Sequence, residues 1–237
     1  DLHPAELLHR RLHLPARAGP QGQGLMDVAM FTVGPVQENC YLLRTDAEAT
    51  AAVLVDPGEE PEKLLAGIDE LGVTLEAILL THTHFDHVGA VAPVAKATGA
   101  PVYCPALERH VLADIMSYVP YAGFGPFESW EAEHTVEGSE HLSLAGLEID
   151  VLFTPGHSPG HVTYAFGDHG VLASGDVLFE SSVGRTDLPG GDHGVLMASI
   201  ATLLGVYPPE TTLLPGHMGT TTLGRERATN PFLQSYA

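Results

Sequence analysis

The run Glu76-Ala-Ile-Leu-Leu-Thr81 is apolar and β-forming, and it passes without a linker into His82-Thr-His-Phe-Asp-His87. A strand of the core that ends in three imidazoles and a carboxylate must end at a sheet rim, where those groups can find polar or ionic partners. On an extended strand end His82 and His84 point to the same side, because side chains alternate with period two. The chain then turns, and Asp86 and His87 leave on the loop and the first helical turn. Two imidazoles can hold one cation while the carboxylate and the third imidazole hold another nearby. Neutral imidazole with carboxylate suits zinc, iron or manganese. The alternative is a polar loop that happens to be rich in histidine. With 14 histidines in 237 residues, chance produces this pattern in roughly 0.3% of such chains, which disfavours it.

The surrounding pattern predicts an α/β fold. From Met26 onward, "VAMFTVG", "NCYLLRT" and "AAVLVDPG" are short apolar or β-branched runs bounded by Gly, Pro and Asp, and they read as a strand series. "PEKLLAGIDELG" is a helix, with Pro61 near its start and Gly72 as its stop. "HVGAVAPVAKATG" is helical by composition despite Pro93, and "PVYCP" is another strand. The second half repeats the style in "LEIDVLFTPGH", "HVTYAFG", "GVLASGD" and "TTLLPGH", with a helix at "GVLMASIATLLG". Two β-rich halves with helices suggest two sheets packed face to face and covered by helices, within a single domain over residues 26–237. Residues 1–25, with the stretch "AGPQGQG", read as a flexible N-terminal extension outside the fold, carrying a short helix at "PAELLHRRL". His3, His9 and His13 there read as parts of a solvated tail.

Charge and cysteine content narrow the function. A formal net charge of −20 argues against nucleic-acid and membrane partners, both of which need clustered Lys and Arg. Cys40 and Cys104 lack a CxxC spacing and read as two buried thiols of a reducing compartment. With no apolar run of membrane-spanning length and no signal-peptide pattern at the start, a cytoplasmic protein is expected.

One cluster of four ligands is too small to fill two cation sites. The remainder should lie at other strand ends: "FTPGHSPGH" ends a strand at His157, "LASGDVLF" at Asp176 and "LLPGHMGT" at His217. Glycine beside each ligand lets the backbone turn without a side chain crowding the metal.

Taken together, His82-x-His84-x-Asp86-His87, His157, Asp176 and His217, with Asp56 in "VLVDPG", resemble the metallo-β-lactamase superfamily from about Met26 to the C-terminus. The resemblance implies a four-layer αββα sandwich with the metal site at one edge of the two sheets. Within that superfamily "NCYLL", "THTHFDHVGA", "TPGHSPGH", "GDVLF", "GRTDLPGG" and "TNPFL" resemble glyoxalase II, the hydroxyacylglutathione hydrolases, and most closely its short bacterial relatives. The resemblance assigns His82, His84 and His157 to one metal and Asp86, His87 and His217 to a second. Asp176 bridges them, and Asp56 orients a ligand by hydrogen bonds. Two divalent ions per chain follow, zinc first, with iron or manganese also compatible.

The implied reaction is hydrolysis of an acyl thioester of the S-lactoylglutathione type. Two cations about 3.5–4 Å apart lower the pKa of a shared water toward ~7, and the bridging hydroxide attacks the thioester carbonyl. Asp86 is a ligand that also orients the hydroxide, and no GxSxG elbow offers a serine route. Arg185 in "SVGRTDLPGG" is the candidate contact for a substrate carboxylate; the competing reading pairs it with Asp187 to shape the loop. Arg225 and Arg227 are lesser candidates. The chain departs from glutathione-using glyoxalase II in two places: it reads "GHMGTT" after the last histidine, and only some twenty residues follow His217, too few for the additional C-terminal helical domain. The alternatives are a mononuclear iron persulfide dioxygenase, needing only the His, His, Asp set, and an inactive metal-binding scaffold. A β-lactamase is disfavoured by the absence of a signal peptide. His161 is read as a strand-end histidine that could back a ligand. His110, His134, His141, His169 and His193 are read as surface groups and Met218 as a packing residue.

Overall fold

A computed structural model describes residues 9–12, 14 and 26–236. The first sheet has seven strands in sequence order: β1 (Arg10–Leu12), β2 (Asp27–Val33), β3 (Glu38–Arg44), β4 (Ala51–Val55), β5 (Thr74–Leu79), β6 (Val102–Pro105) and β7 (His134–Val136). The later strands are β8 (His141–Leu144), β9 (Leu147–Phe153), β10 (Val162–Phe166), β11 (Val171–Gly175), β12 (Leu178–Phe179), β13 (Ser182–Val183), β14 (Thr212–Pro215) and β15 (Thr221–Thr222). Six of these form the second sheet in the order β15-β14-β11-β10-β9-β8, and β12–β13 is a separate ribbon. The helices are α1 (Pro61–Leu71), α2 (Phe85–Val88), α3 (Val91–Thr98), α4 (Arg109–Ala113), α5 (His193–Val206) and α6 (Leu223–Thr229).

The strands are apolar on both faces, and this dictates four layers. In β3, Cys40 and Leu42 pack outward with Leu64 and Ile68 of α1 and Val91 and Val94 of α3. Tyr41 and Leu43 of the same strand point inward, with Leu147 and Ile149 of β9 and Tyr164 of β10, to form the layer between the sheets. On the far side Leu172 of β11 and Leu213 of β14 pack against Leu196, Ile200 and Leu203 of α5. The expected αββα sandwich is thus present, with period-two alternation feeding two cores per sheet. Cys40 and Cys104 are buried and unbridged. Among the described residues no helix is long and apolar enough to cross a membrane.

Two sequence expectations need correction. Residues 10–12 lie in the fold as an edge strand, with Arg10, Arg11 and Leu12 paired antiparallel to Met30, Ala29 and Val28. They were expected in a flexible extension with a short helix. The β2 edge offers unpaired backbone groups that any sequence can satisfy, and Leu12 and Leu14 pack against the inter-sheet core. His9, expected in a solvated tail, is half-buried with its ring 5.4 Å from that of Phe31; His3 and His13 lie outside the described residues. The single helix expected at "HVGAVAPVAKATG" is two helices, α2 and α3, separated by Gly89 and Ala90. Pro93 is tolerated because it occupies the first turn of α3, where its missing N–H has no helical acceptor anyway.

Candidate metal centre

Parallel pairing sets the site at one rim. β4 and β5 run parallel, as do β11 and β14, so the C-terminal ends of each pair lie side by side. Asp56 follows β4, His82 follows β5, Asp176 follows β11 and His217 follows β14, while His157 stands on the β9–β10 connection. Asp86 and His87 ride on α2.

These side chains converge in two groups whose ligand-type atoms lie within 4.8 Å of one another: His82, His84 and His157, and Asp86, His87 and His217. His84 Nδ1 is 2.8 Å from His157 Nε2. Asp176 stands between the groups. Its Oδ1 is 3.4 Å from His87 Nε2, and its Oδ2 is 3.4 Å from His157 Nε2 and 3.6 Å from His217 Nε2. His217 Nε2 is also 3.3 Å from Asp86 Oδ2.

Asp56 sets the ring orientations. Its Oδ1 accepts from Thr81 N at 2.7 Å and its Oδ2 from the Thr81 hydroxyl at 2.6 Å. That hydroxyl has one proton, already given to Asp56, so it accepts from His82 Nδ1 at 3.0 Å. Asp56 Oδ2 likewise accepts from His87 Nδ1 at 3.0 Å. Both rings therefore turn Nε2 toward the site, and so does His157, whose Nδ1 donates to the Arg185 carbonyl at 2.8 Å. Asp56 also groups with His82 and His87, but its oxygens are engaged by Thr81 and His87, which suits orienting more than ligation.

Donor chemistry and burial fit divalent cations. The buried Nε2 atoms of His82 and His87 and Oδ1 of Asp176 have no hydrogen-bond partner, an arrangement that costs free energy unless something satisfies them. The backbone leaves the space open. A Cβ on Gly216, beside His217, would stand 2.3 Å from Asp176 Oδ1 and 2.5 Å from His87 Cε1. Burial and neighbouring imidazoles hold His82 well below the ordinary range and His84 down to about 4, so both are neutral at pH 7, as ligands must be. For His87 and His217 burial pulls the other way but is outweighed by the carboxylates of Asp176 and Asp86, and both are raised. Burial likewise opposes ionisation of Asp86 and Asp176, yet the facing imidazoles hold both carboxyls below their usual range.

Further buried side chains position the ligands; the sequence reading covers His161, as a strand-end histidine that could back one, but not Glu108, Asn39, Tyr41 or Glu38. His161 is fully buried; its Nε2 accepts from the Asp176 amide at 3.1 Å and its Nδ1 pairs with Thr154. It therefore seats Asp176 and has no ring nitrogen left to ligate. Glu108 is buried and accepts from Thr83 N, Thr83 Oγ1, Ser158 Oγ and Gly160 N, tying the His82–His87 loop to the His157 loop. Asn39 Nδ2 donates to the carbonyls of Pro215 and Met218, and Tyr41 Oη to Pro215, so β3 grips the His217 turn. Glu38 is buried 3.8 Å from His87 Nδ1 with neither carboxyl oxygen hydrogen-bonded, and burial pushes it well up. Alternation offered a signal for it: an acid on the same strand face as Cys40 and Leu42 points into a core.

Arg185 lines the cavity above the metal-ligand groups, but Asp187 already engages it, Oδ1 to Nε at 2.7 Å and Oδ2 to Nη2 at 2.8 Å. Its Nη1 donates to Tyr121 Oη at 3.2 Å. Arg225 pairs with Glu180 at 2.7 Å. Met218, expected to pack, is 55% exposed and lines the cavity mouth with φ +68°. Its strained backbone follows from the tight turn that presents His217.

Residues 33–217 match the metallo-beta-lactamase superfamily. The hydroxyacylglutathione hydrolase GloC of Haemophilus influenzae is 34% identical over 223 residues, covering 89% of this chain and 99% of that protein. The solved BLEG-1 B3 metallo-beta-lactamase is 41% identical with a TM-score of 0.82, covering 87% of this chain and 99% of its own. TTHA1623, solved in a di-iron-bound form, is 45% identical with a TM-score of 0.69, covering 86% and 99%.

Proposed function

The chain belongs to the metallo-beta-lactamase superfamily, and we propose that it is a dinuclear-metal hydrolase of acyl thioesters of the S-lactoylglutathione type. One observation carries the two-ion reading: Asp176 stands within 3.6 Å of the Nε2 atoms of His87, His157 and His217, so one carboxylate serves both ligand groups. His82, His84 and His157 would hold the first ion, Asp86, His87 and His217 the second, with Asp176 between them. The di-iron-bound TTHA1623 supports the count. The name of the GloC relative supports the thioester. Zinc is the first candidate metal, and iron or manganese suit the same donors.

When bound, the ions supply Lewis acidity and lower the pKa of water toward ~7. The protein's own groups do the rest. Asp56, acting through Thr81 and directly on His87, fixes the imidazole tautomers. Asp86, ionised and opening into the cavity, accepts a hydrogen bond from the attacking water and aims it at the carbonyl. A thiolate leaves without protonation by a strong acid, so none is required of the site.

Lactam hydrolysis is the second reading, favoured by the BLEG-1 likeness. A mononuclear iron persulfide dioxygenase would leave Asp86, His87 and His217 without a task. The deciding experiment measures metal per chain and turnover of S-lactoylglutathione, related thioesters, a lactam and a thiol persulfide. Two ions with thioester turnover, abolished in His84→Ala, are expected. Turnover of lactams alone, or a single iron with oxygen uptake on the persulfide, overturns the proposal.

A further inference from the structure

The cavity above the ligand groups has a volume of about 920 Å³, at the large end for small-molecule sites and far more than a short acyl group fills. Away from the histidines its walls are mostly apolar, with Leu107, Val111, Tyr118, Tyr121, Leu188 and Met218 prominent. Large apolar side chains exposed singly need no explanation. Here Val36, Leu107, Tyr118, Tyr121 and Met218, all strongly exposed, gather round this one opening, and such a concentration marks a binding surface.

Charge on the same walls points one way. Among the described residues that line the cavity away from the ligand groups there is one acid, Glu108, and no lysine, and the single arginine, Arg185, is held at both Nε and Nη2 by Asp187. Among the described residues His110 is the only other basic-type side chain on the wall outside Arg185 and the ligand groups. A chain of net charge −20 adds a repulsive field for anions. An anionic substrate arm would compete with Asp187 for the bidentate edge of Arg185.

We infer that the arm of the substrate beyond the acyl group is uncharged and apolar, an aromatic or aliphatic thiol in preference to glutathione or the polyanionic coenzyme A. The inference rests on the thioester reading above and names the carrier within it. Leu107 and Tyr118 take the hydrophobic arm, and Asp187 excludes carboxylates by occupying Arg185.

Lactoyl thioesters of 2-phenylethanethiol, glutathione and coenzyme A, compared on metal-loaded protein, test it. The phenylethyl thioester should lead in kcat/KM by about tenfold or more, the size of effect one buried aromatic group gives. Calorimetric titration of metal-free protein with the inert ethyl phenylethyl thioether and with S-ethylglutathione should show the same order. Leu107→Asp, at a 59% exposed position, should remove the lead, and Asp187→Asn should raise turnover of the glutathione thioester alone. Hydrolysis that favours glutathione or coenzyme A, or ignores the arm, overturns the inference while leaving the thioester reading intact. Hydrolysis of none of the three brings both down.

Discussion

The two ligand groups hold the same number of donors, but His82 and His84 in one are shifted toward the neutral form and His87 and His217 in the other toward the protonated form. Around His82 and His84 burial works against charge, and the Asp56–Thr81 relay and the Arg185 carbonyl engage Nδ1 of His82 and His157, so their Nε2 atoms face inward. Around Asp86, His87 and His217 the carboxylates overcome burial and raise both imidazoles. The first group is thus ready for a cation at pH 7. The second holds protons that an incoming cation must displace. The lesson is that burial alone does not prepare a ligand; the sign of the nearest charge decides.

The most severe way to break this contrast is to remove the residue common to both sides. Asp176→Asn keeps the shape but takes away the charge facing His87, His157 and His217. Thioester hydrolysis should fall on the order of 10³-fold, and elemental analysis should find less than one ion per chain. Loss confined to one ion would mean that Asp176 belongs to a single group.

Much of this arrangement is legible in residue order, because ligand chemistry leaves short-range marks. "HTHFDH" places four donors in six residues, and His157, Asp176 and His217 each follow an apolar strand and a small residue. The layers are legible for a similar reason: alternating runs apolar on both faces require two cores. What escaped depends on partners distant in sequence or on the backbone itself. Glu108 lies 25 residues from Thr83 and 50 from Ser158, and in "PALERHV" it looks like any exposed helix acid. His161 is legible in part: read as a strand-end histidine that could back a ligand, it accepts from the Asp176 amide. Strand β1 pairs through main-chain groups, which carry no side-chain signature. Of the two readings of Arg185, the pairing with Asp187 is the contact formed in the structure.

The protonation contrast itself predicts a difference in pH dependence. His87 and His217 are raised, so the ion-free protein favours their protonated forms between pH 7 and 6, and metal uptake there must release up to two protons. Each displaced proton weakens apparent affinity about tenfold per pH unit, so the second group should lose up to about a hundredfold. His84, titrating at about 4, and His82, lower than usual, contribute no such loss over that interval. Stepwise metal titration at pH 7 and pH 6, with proton release measured in two buffers, should show the later, weaker ion to be the pH-sensitive one. Equal slopes for both ions would contradict the charge argument.

The smallest effect sharpens the contrast from the other side. Glu108 acts most directly on the imidazole group: Thr83 stands between His82 and His84, Ser158 follows His157, and none of its four donors lies on the elements that present His217 or Asp176. A glutamine there keeps the length but turns an NH₂ toward hydrogen-bond donors, so at least one backbone amide or hydroxyl loses its acceptor. Metal affinity at the imidazole group should drop about tenfold, the lower end for residues that orient ligands, while the pH-sensitive site keeps its affinity. Cobalt(II) titration reads the two sites by their separate absorption, and a thermal melt of the same variant records any general loosening. A fall shared equally by both sites would make Glu108 a brace for the whole rim, and the independence of the two groups would go with it.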